Sequence, residues 1–184
     1  MPVPNGFVVE PETPEREIRD AYEELKRAER THFAALRGPS HALLDIAGND
    51  PVIYSIRRLW AETPDAPILM QRMVHTEWCG KALRNEKNLL LRIKANEGML
   101  LLDPDSYLFN RATRKCTRRT LQKSQRKIIR WVDGSARTLQ SDGRRTALTL
   151  DQLKVIAELA ESAQADIIWA LDDRKVWLLG IKRP

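Results

Sequence analysis

His75 and Cys79 stand at i and i+4 in the stretch HTEWC, a spacing that puts an imidazole and a thiol on one face of a helix, as metal ligands often are. The other imidazoles, His32 and His41, and the other thiol, Cys116, belong to separate segments, so no metal site is expected. Nucleophilic chemistry has less to work with. There is no G-x-S-x-G and no Gly-rich phosphate loop, and the chain has only eight glycines from which to build one. No catalytic residue, metal or cofactor is assigned on these grounds, and the chain reads as a protein that is not an enzyme.

The residues with a chemistry of their own are cationic. RATRKCTRRTLQKSQRKIIR, 111–130, holds nine Lys or Arg and no Asp or Glu, whereas the net charge of the whole chain is +6. All the positive excess therefore sits in one segment, and it speaks of partners rather than fold. On a helical wheel at about 100° per residue, Arg111, Arg114, Lys115, Arg118, Arg119, Lys123, Arg126, Lys127 and Arg130 share one broad face. A narrow seam of Leu121, Ile128 and Val132 lies opposite. Like pairs such as Arg114/Arg118 and Lys123/Lys127 would repel by a few tenths of a kcal/mol each, which an anion would relieve. The function expected is non-catalytic nucleic-acid binding, DNA slightly ahead of RNA, with that face on the phosphates of a duplex and Arg144 and Arg145 as secondary contacts. Other protein subunits of a larger nucleoprotein assembly are expected partners. The alternative is an adaptor whose cationic helix docks an acidic protein surface, with the acid-rich residues 1–50 as an internal source of the same relief.

Two resemblances bear on this. A basic helix followed by a hairpin tip carrying Arg144 and Arg145 resembles, in element order, the helix-plus-wing layout of winged-helix DNA binders; it implies a helix in the major groove and a wing on the backbone. The C-terminal ADIIWALDDRKVWLLGIK is similar to the hairpin of PD-(D/E)XK nucleases. That likeness implies a site of Asp166 and Lys182 with Glu158 or Glu161 from the preceding helix. Gly180 stands where the second carboxylate is needed, so the third reading is a degenerate nuclease.

The elements that would hold these residues follow from periodicity and caps. A helix is expected over 13–36, with Thr13 as N-cap, Pro14 at N1, and Ile18, Tyr22, Leu25, Phe33 and Leu36 on one stripe. Shorter helices are expected over 40–47 and from Asn49 or Asp50, and Met70, Val74, Trp78 and Ala82 predict helix again over 68–95. A small hairpin is expected around DPDS at 103–106, then the basic helix 111–132. Asp142–Gly143 signals a hairpin between ARTLQ and RRTALTL; a helix capped by Thr149 covers 151–161, and ADIIWAL with VWLLGIK closes the chain as a hairpin. The fold class expected is α+β, mostly α: a helical region 1–97, and a mixed region 98–184 with the basic helix and short antiparallel hairpins.

The longest apolar run is five residues, so no membrane partner is expected, and two cysteines do not make a disulfide framework. A cytoplasmic setting fits best.

Overall fold

Period two governs more of the chain than period 3.6. The computed structural model describes residues 2–74, 76–85, 89–97, 104–122, 126–130, 136–140, 148–172 and 175–182, with backbone only at 97, 126–130, 136–140 and 182. Among the described residues there are three helices and twelve strands, and the chain divides into two compact units, Pro4–Val74 and Met1–Val3 with His75–Pro184. No helix among the described residues is long and apolar enough to cross a membrane.

The Pro4–Val74 unit runs β1 (Gly6–Val9), α1 (Glu15–Glu29), β2 (Phe33–Arg37), β3 (Ala42–Ala47), α2 (Asn49–Glu62) and β4 (Ile68–Arg72), with antiparallel sheet order β1-β4-β2-β3. Ile18, Tyr22 and Leu25 of α1 and Val52, Ile56 and Leu59 of α2 are buried against Val9, Ala34, Leu36, Ile68 and Met70 of the sheet. The alternate strand residues, Ala35, Arg37, Leu69 and Gln71, belong to the face that carries no helix. Tyr22 ties the unit together through its hydroxyl, which donates to His32 O at 2.7 Å and accepts from Gly48 N–H at 2.8 Å. Gly48 has φ of 96°, a conformation L side chains rarely adopt, at the entry to α2. Tyr22→Phe leaves both backbone groups without their buried partner, and a loss of roughly 2 kcal/mol is expected in equilibrium urea unfolding.

The larger unit is a six-stranded antiparallel sheet of order β12-β11-β5-β6-β7-β8, built from β5 (Trp78–Arg84), β6 (Leu90–Glu97), β7 (Asp105–Asn110), β8 (Lys115–Thr120), β11 (Asp166–Leu171) and β12 (Val176–Lys182). A separate pair joins β9 (Arg126–Arg130) to β10 (Ala136–Gln140). One face of the six-stranded sheet packs on α3 (Leu150–Ala163), burying Ala82, Leu91, Ile93, Tyr107, Ile167 and Trp169 against Leu153, Ile156 and Ala160. The start of α3 is a capping box: Gln152 N–H donates to the Thr149 hydroxyl while Thr149 N–H donates to the Gln152 side chain.

The mostly helical class is therefore corrected: this is a mostly-β fold whose two larger antiparallel sheets each carry helices on one face. The helix expected over 13–36 stops at Glu29, where Arg30 takes a left-handed φ of 49°, and Phe33 and Leu36 pass into β2. Residues 42–47 are strand β3, not helix. The helix expected over 68–95 is β4, β5 and most of β6. Its apolar stripe at i, i+4 was ambiguous because four is also a multiple of the strand period. The basic helix over 111–132 does not form. Thr113 N–H bonds to the Asn110 side chain and Arg114 adopts φ of 54°, closing a hairpin turn between β7 and β8. ARTLQ pairs with 126–130, and Asp142–Gly143 lies outside the described residues. The helices begun at Asn49 and capped by Thr149 and the C-terminal hairpin match their expected elements.

Candidate functional site

On a strand that is half buried, the residues between the core positions share the other face. In the six-stranded sheet those residues are cationic. Register places Ile168 beside Lys81, Lys81 beside Lys94, Lys94 beside Ser106, and Ser106 beside Thr120, in one row across five strands. The next row runs Leu83, Arg92, Leu108 and Arg118. Both rows lie on the face away from α3. Lys81, Arg92 and Arg118 are exposed and Lys94 is half-buried, and no carboxylate among the described residues pairs with any of the four.

Two ammonium groups directly across an antiparallel pair repel one another. Lys81 and Lys94 are such a pair, with Arg92 one row away, so the unliganded face carries an electrostatic cost that an anion would remove. A buffering carboxylate could have removed it too. Three acids of α1 are used in their own unit: Glu15 holds Arg19 at 2.7 Å and Arg57 at 2.6 Å, Glu23 holds Lys26 at 2.8 Å, and Glu29 holds Arg72 at 3.1 Å. These pairs push the Glu15 and Glu23 carboxyls below their usual range, through the hydrogen bonds from Arg19 and Lys26 respectively.

The Pro4–Val74 unit has a half-buried counterpart in Arg37. Arg37 gives its Nε–H to Gln71 Oε1 at 3.0 Å, and Gln71 in turn donates to Pro4 O at 3.1 Å. Burial lowers the Arg37 pKa, and its hydrogen-bond partner, the Gln71 amide, is neutral. It is a guanidinium stripped of part of its water without a carboxylate in return.

The residues expected to bind nucleic acid are not brought together. Arg111 and Arg114 lie in the β7–β8 turn, and Arg114 is ion-paired with Glu158 of α3. Lys115, Arg118 and Arg119 are on β8, but Arg118 belongs to the helix-free face while Arg119 sits 5.9 Å from the ring of Tyr107, a residue of the α3 face. Arg126, Lys127 and Arg130 are on β9; Lys123, Arg144 and Arg145 lie outside the described residues. The nuclease-like set also comes apart. Asp166 pairs in register with Lys182, but one of its oxygens accepts from Arg84 N–H at 2.8 Å, and Glu158 is taken by Arg114. His75 lies outside the described residues, and Cys79, on β5, is a buried thiol pushed up to about 12 by desolvation. Among the described residues no three His, Cys, Asp or Glu side chains are gathered that could hold a metal ion.

Sequence reasoning missed Lys81 and Lys94 as a pair. The signal was the strict alternation of LRIKAN at 91–96, apolar and polar by turns, which marks a half-buried strand.

No family model and no curated protein matches the chain. Solved structures do. D-alanine–D-alanine ligase from Bacillus anthracis aligns with 98% of this chain at a TM-score of 0.54 and 8% identity, and its complex with ATP aligns with 99% at 0.54 and 9%. The corresponding ligase from Coxiella burnetii aligns with 99% at 0.55 and 10% identity. The chain shares the fold of part of these ligase structures. Both units take part in the likeness, since it covers nearly the whole chain. The chain spans 50% of the length of the Bacillus structures and 42% of the Coxiella one. This likeness to ligase structures overturns the expectation of a non-catalytic nucleic-acid-binding protein that is not an enzyme, while the nuclease-like set fails on its own geometry. The physical reason lies in the strand geometry: the single cationic helix face on which the expectation rested does not exist.

Proposed function

We propose that this chain is the ATP-binding part of an ATP-dependent ligase-type enzyme, with Lys81 and Lys94 contacting the nucleotide's phosphates. One observation carries the reading: two lysines stand directly across β5 and β6, uncompensated, on the helix-free face of a fold shared with a ligase structure that holds ATP. Each ammonium offers three rotatable donors and a compact charge, which suits successive oxygens of a polyphosphate. The four acidic oxygens of a triphosphate would convert the Lys81–Lys94 repulsion into two attractions. The two cysteines are free, as fits a reducing cytoplasm, which is the compartment we assign.

Calorimetric titration of ATP into the protein, with and without magnesium, tests the reading. Binding is expected, weakening as ionic strength rises because the Lys81 ammonium is exposed to screening. Lys94→Met is expected to lower the affinity at least tenfold. Absence of binding at millimolar ATP, under both conditions, ends the proposal.

A further inference from the structure

The second row of the same sheet face leads to a different site. Arg92 of β6 and Arg118 of β8 flank Leu108 of β7, and with Ser106 and Thr120 they line a pocket of about 170 Å³ that lies wholly within the larger unit. Its chemistry is one-sided. Two guanidinium forks and two hydroxyls supply donors, Leu108 supplies an apolar wall, and no acid takes part. Neither guanidinium is engaged by a carboxylate among the described residues. The volume is below the roughly 300–1,000 Å³ typical of sites that enclose a drug-sized ligand, so a whole nucleotide does not fit, but one tetrahedral oxyanion does.

We infer that this pocket is a phosphate-dianion subsite, with Arg92 and Arg118 as opposed clamps and Ser106 and Thr120 as hydroxyl donors. Phosphate is favoured over carboxylate by donor number. Two forks and two hydroxyls offer about six hydrogen bonds, which three or four phosphate oxygens can accept together and two carboxylate oxygens would crowd. Strand geometry fixes the spacing of the clamp. The two arginine backbones are separated by one strand and held in register by the β6–β7 and β7–β8 ladders, so only the side chains must be ordered at the moment of binding. The phosphate has two sources, the terminal phosphate of a nucleoside triphosphate or that of a second phosphorylated ligand. Only the first depends on the proposed ATP site.

The test uses inorganic phosphate as probe, followed by ³¹P NMR and calorimetry on the full chain. Wild-type protein is expected to bind one phosphate, and Arg92→Met and Arg118→Met are each expected to weaken it at least tenfold, with circular dichroism confirming that both variants fold. Arg118→Lys is expected to recover little, because a point charge does not replace a planar fork. Arg58→Met, an exposed cation of the other unit, serves as the charge control and is expected to bind like wild type. If phosphate still binds when ATP saturates the protein, the pocket serves a second ligand. If ATP excludes phosphate, ADP does not, and Arg118→Met weakens ATP alone, it takes the nucleotide's terminal phosphate. Either result supports the subsite. No phosphate binding to wild type, undiminished binding in both arginine variants, or an equal loss in Arg58→Met overturns it. Failure of ATP and ADP to bind while the phosphate result stands removes the nucleotide reading and leaves the subsite intact.

Discussion

Gly80→Ala is expected to destabilise the larger unit by at least ~3 kcal/mol, at the upper end of overpacking costs, and Gly80→Val to prevent its folding. A Cβ at this position would lie 1.9 Å from Lys94 O and 2.6 and 2.8 Å from Cζ2 and Cε2 of Trp169. The first obstacle is backbone of the neighbouring strand. The second is the ring of a fully buried Trp, held in a core packed to crystal-like density. Neither can retreat without opening the β5–β6 ladder or ejecting the indole from α3. Gly180 is the internal control. Its added Cβ meets nothing nearer than Ile168 at 3.7 Å, so Gly180→Ala is expected to change stability by less than about 1 kcal/mol. Urea unfolding followed by tryptophan fluorescence reads both. A tolerated Gly80→Ala would mean that β5, β6 and β11 do not share the register described.

Lys81→Glu is expected to stabilise the unliganded protein and to cripple nucleotide binding. The substitution replaces a repulsive cross-strand pair by an attractive one opposite Lys94, a change of roughly 0.5–1 kcal/mol at a partly exposed position. The same change puts a negative charge where a phosphate is proposed to lie, and an ATP affinity loss of a hundredfold or more is expected. The two effects have opposite signs, which separates a ligand site from a structural one. If Lys81 served stability, its reversal would lower the melting temperature; if it served no ligand, ATP titrations of Lys81→Glu and wild type would coincide. The stabilising half is salt-sensitive and is best measured at low ionic strength, where screening is weak.

Local rules made the helices legible. The Ile18–Tyr22–Leu25 stripe, the acidic first turn of α1, the Thr149 capping box and the apolar runs of the C-terminal hairpin are each determined by residues within a few positions of one another. Strands β4 to β6 were not legible from Met70, Val74, Trp78 and Ala82, because those residues satisfy both periods and only pairing with distant segments decides between them. β8 is the harder case. Its core-facing side chains are few, and it is a strand because β7, whose Asp105, Tyr107 and Phe109 alternate inward, offers it a ladder. The candidate site inherits the same difficulty. Lys81 and Lys94 are thirteen positions apart and become neighbours only through the β5–β6 register, while Arg92 and Arg118 require two ladders to meet. Charge counting found the densest cationic segment; it could not find cations gathered from three strands.

β8 also ends the sheet, and that position has a consequence for the protein in crowded solution. An outermost strand presents unpaired backbone groups to any other chain that can extend it, and long flat edges of this kind seed aggregation. Here the outermost strand is six residues long, interrupted by a bulge opposite Leu108 and Phe109, and studded with Lys115, Arg118 and Arg119. A second copy approaching edge to edge would bring those same three cations against its own. The basic segment thus keeps the sheet finite, and concentrated salt, by screening that repulsion, would weaken the guard.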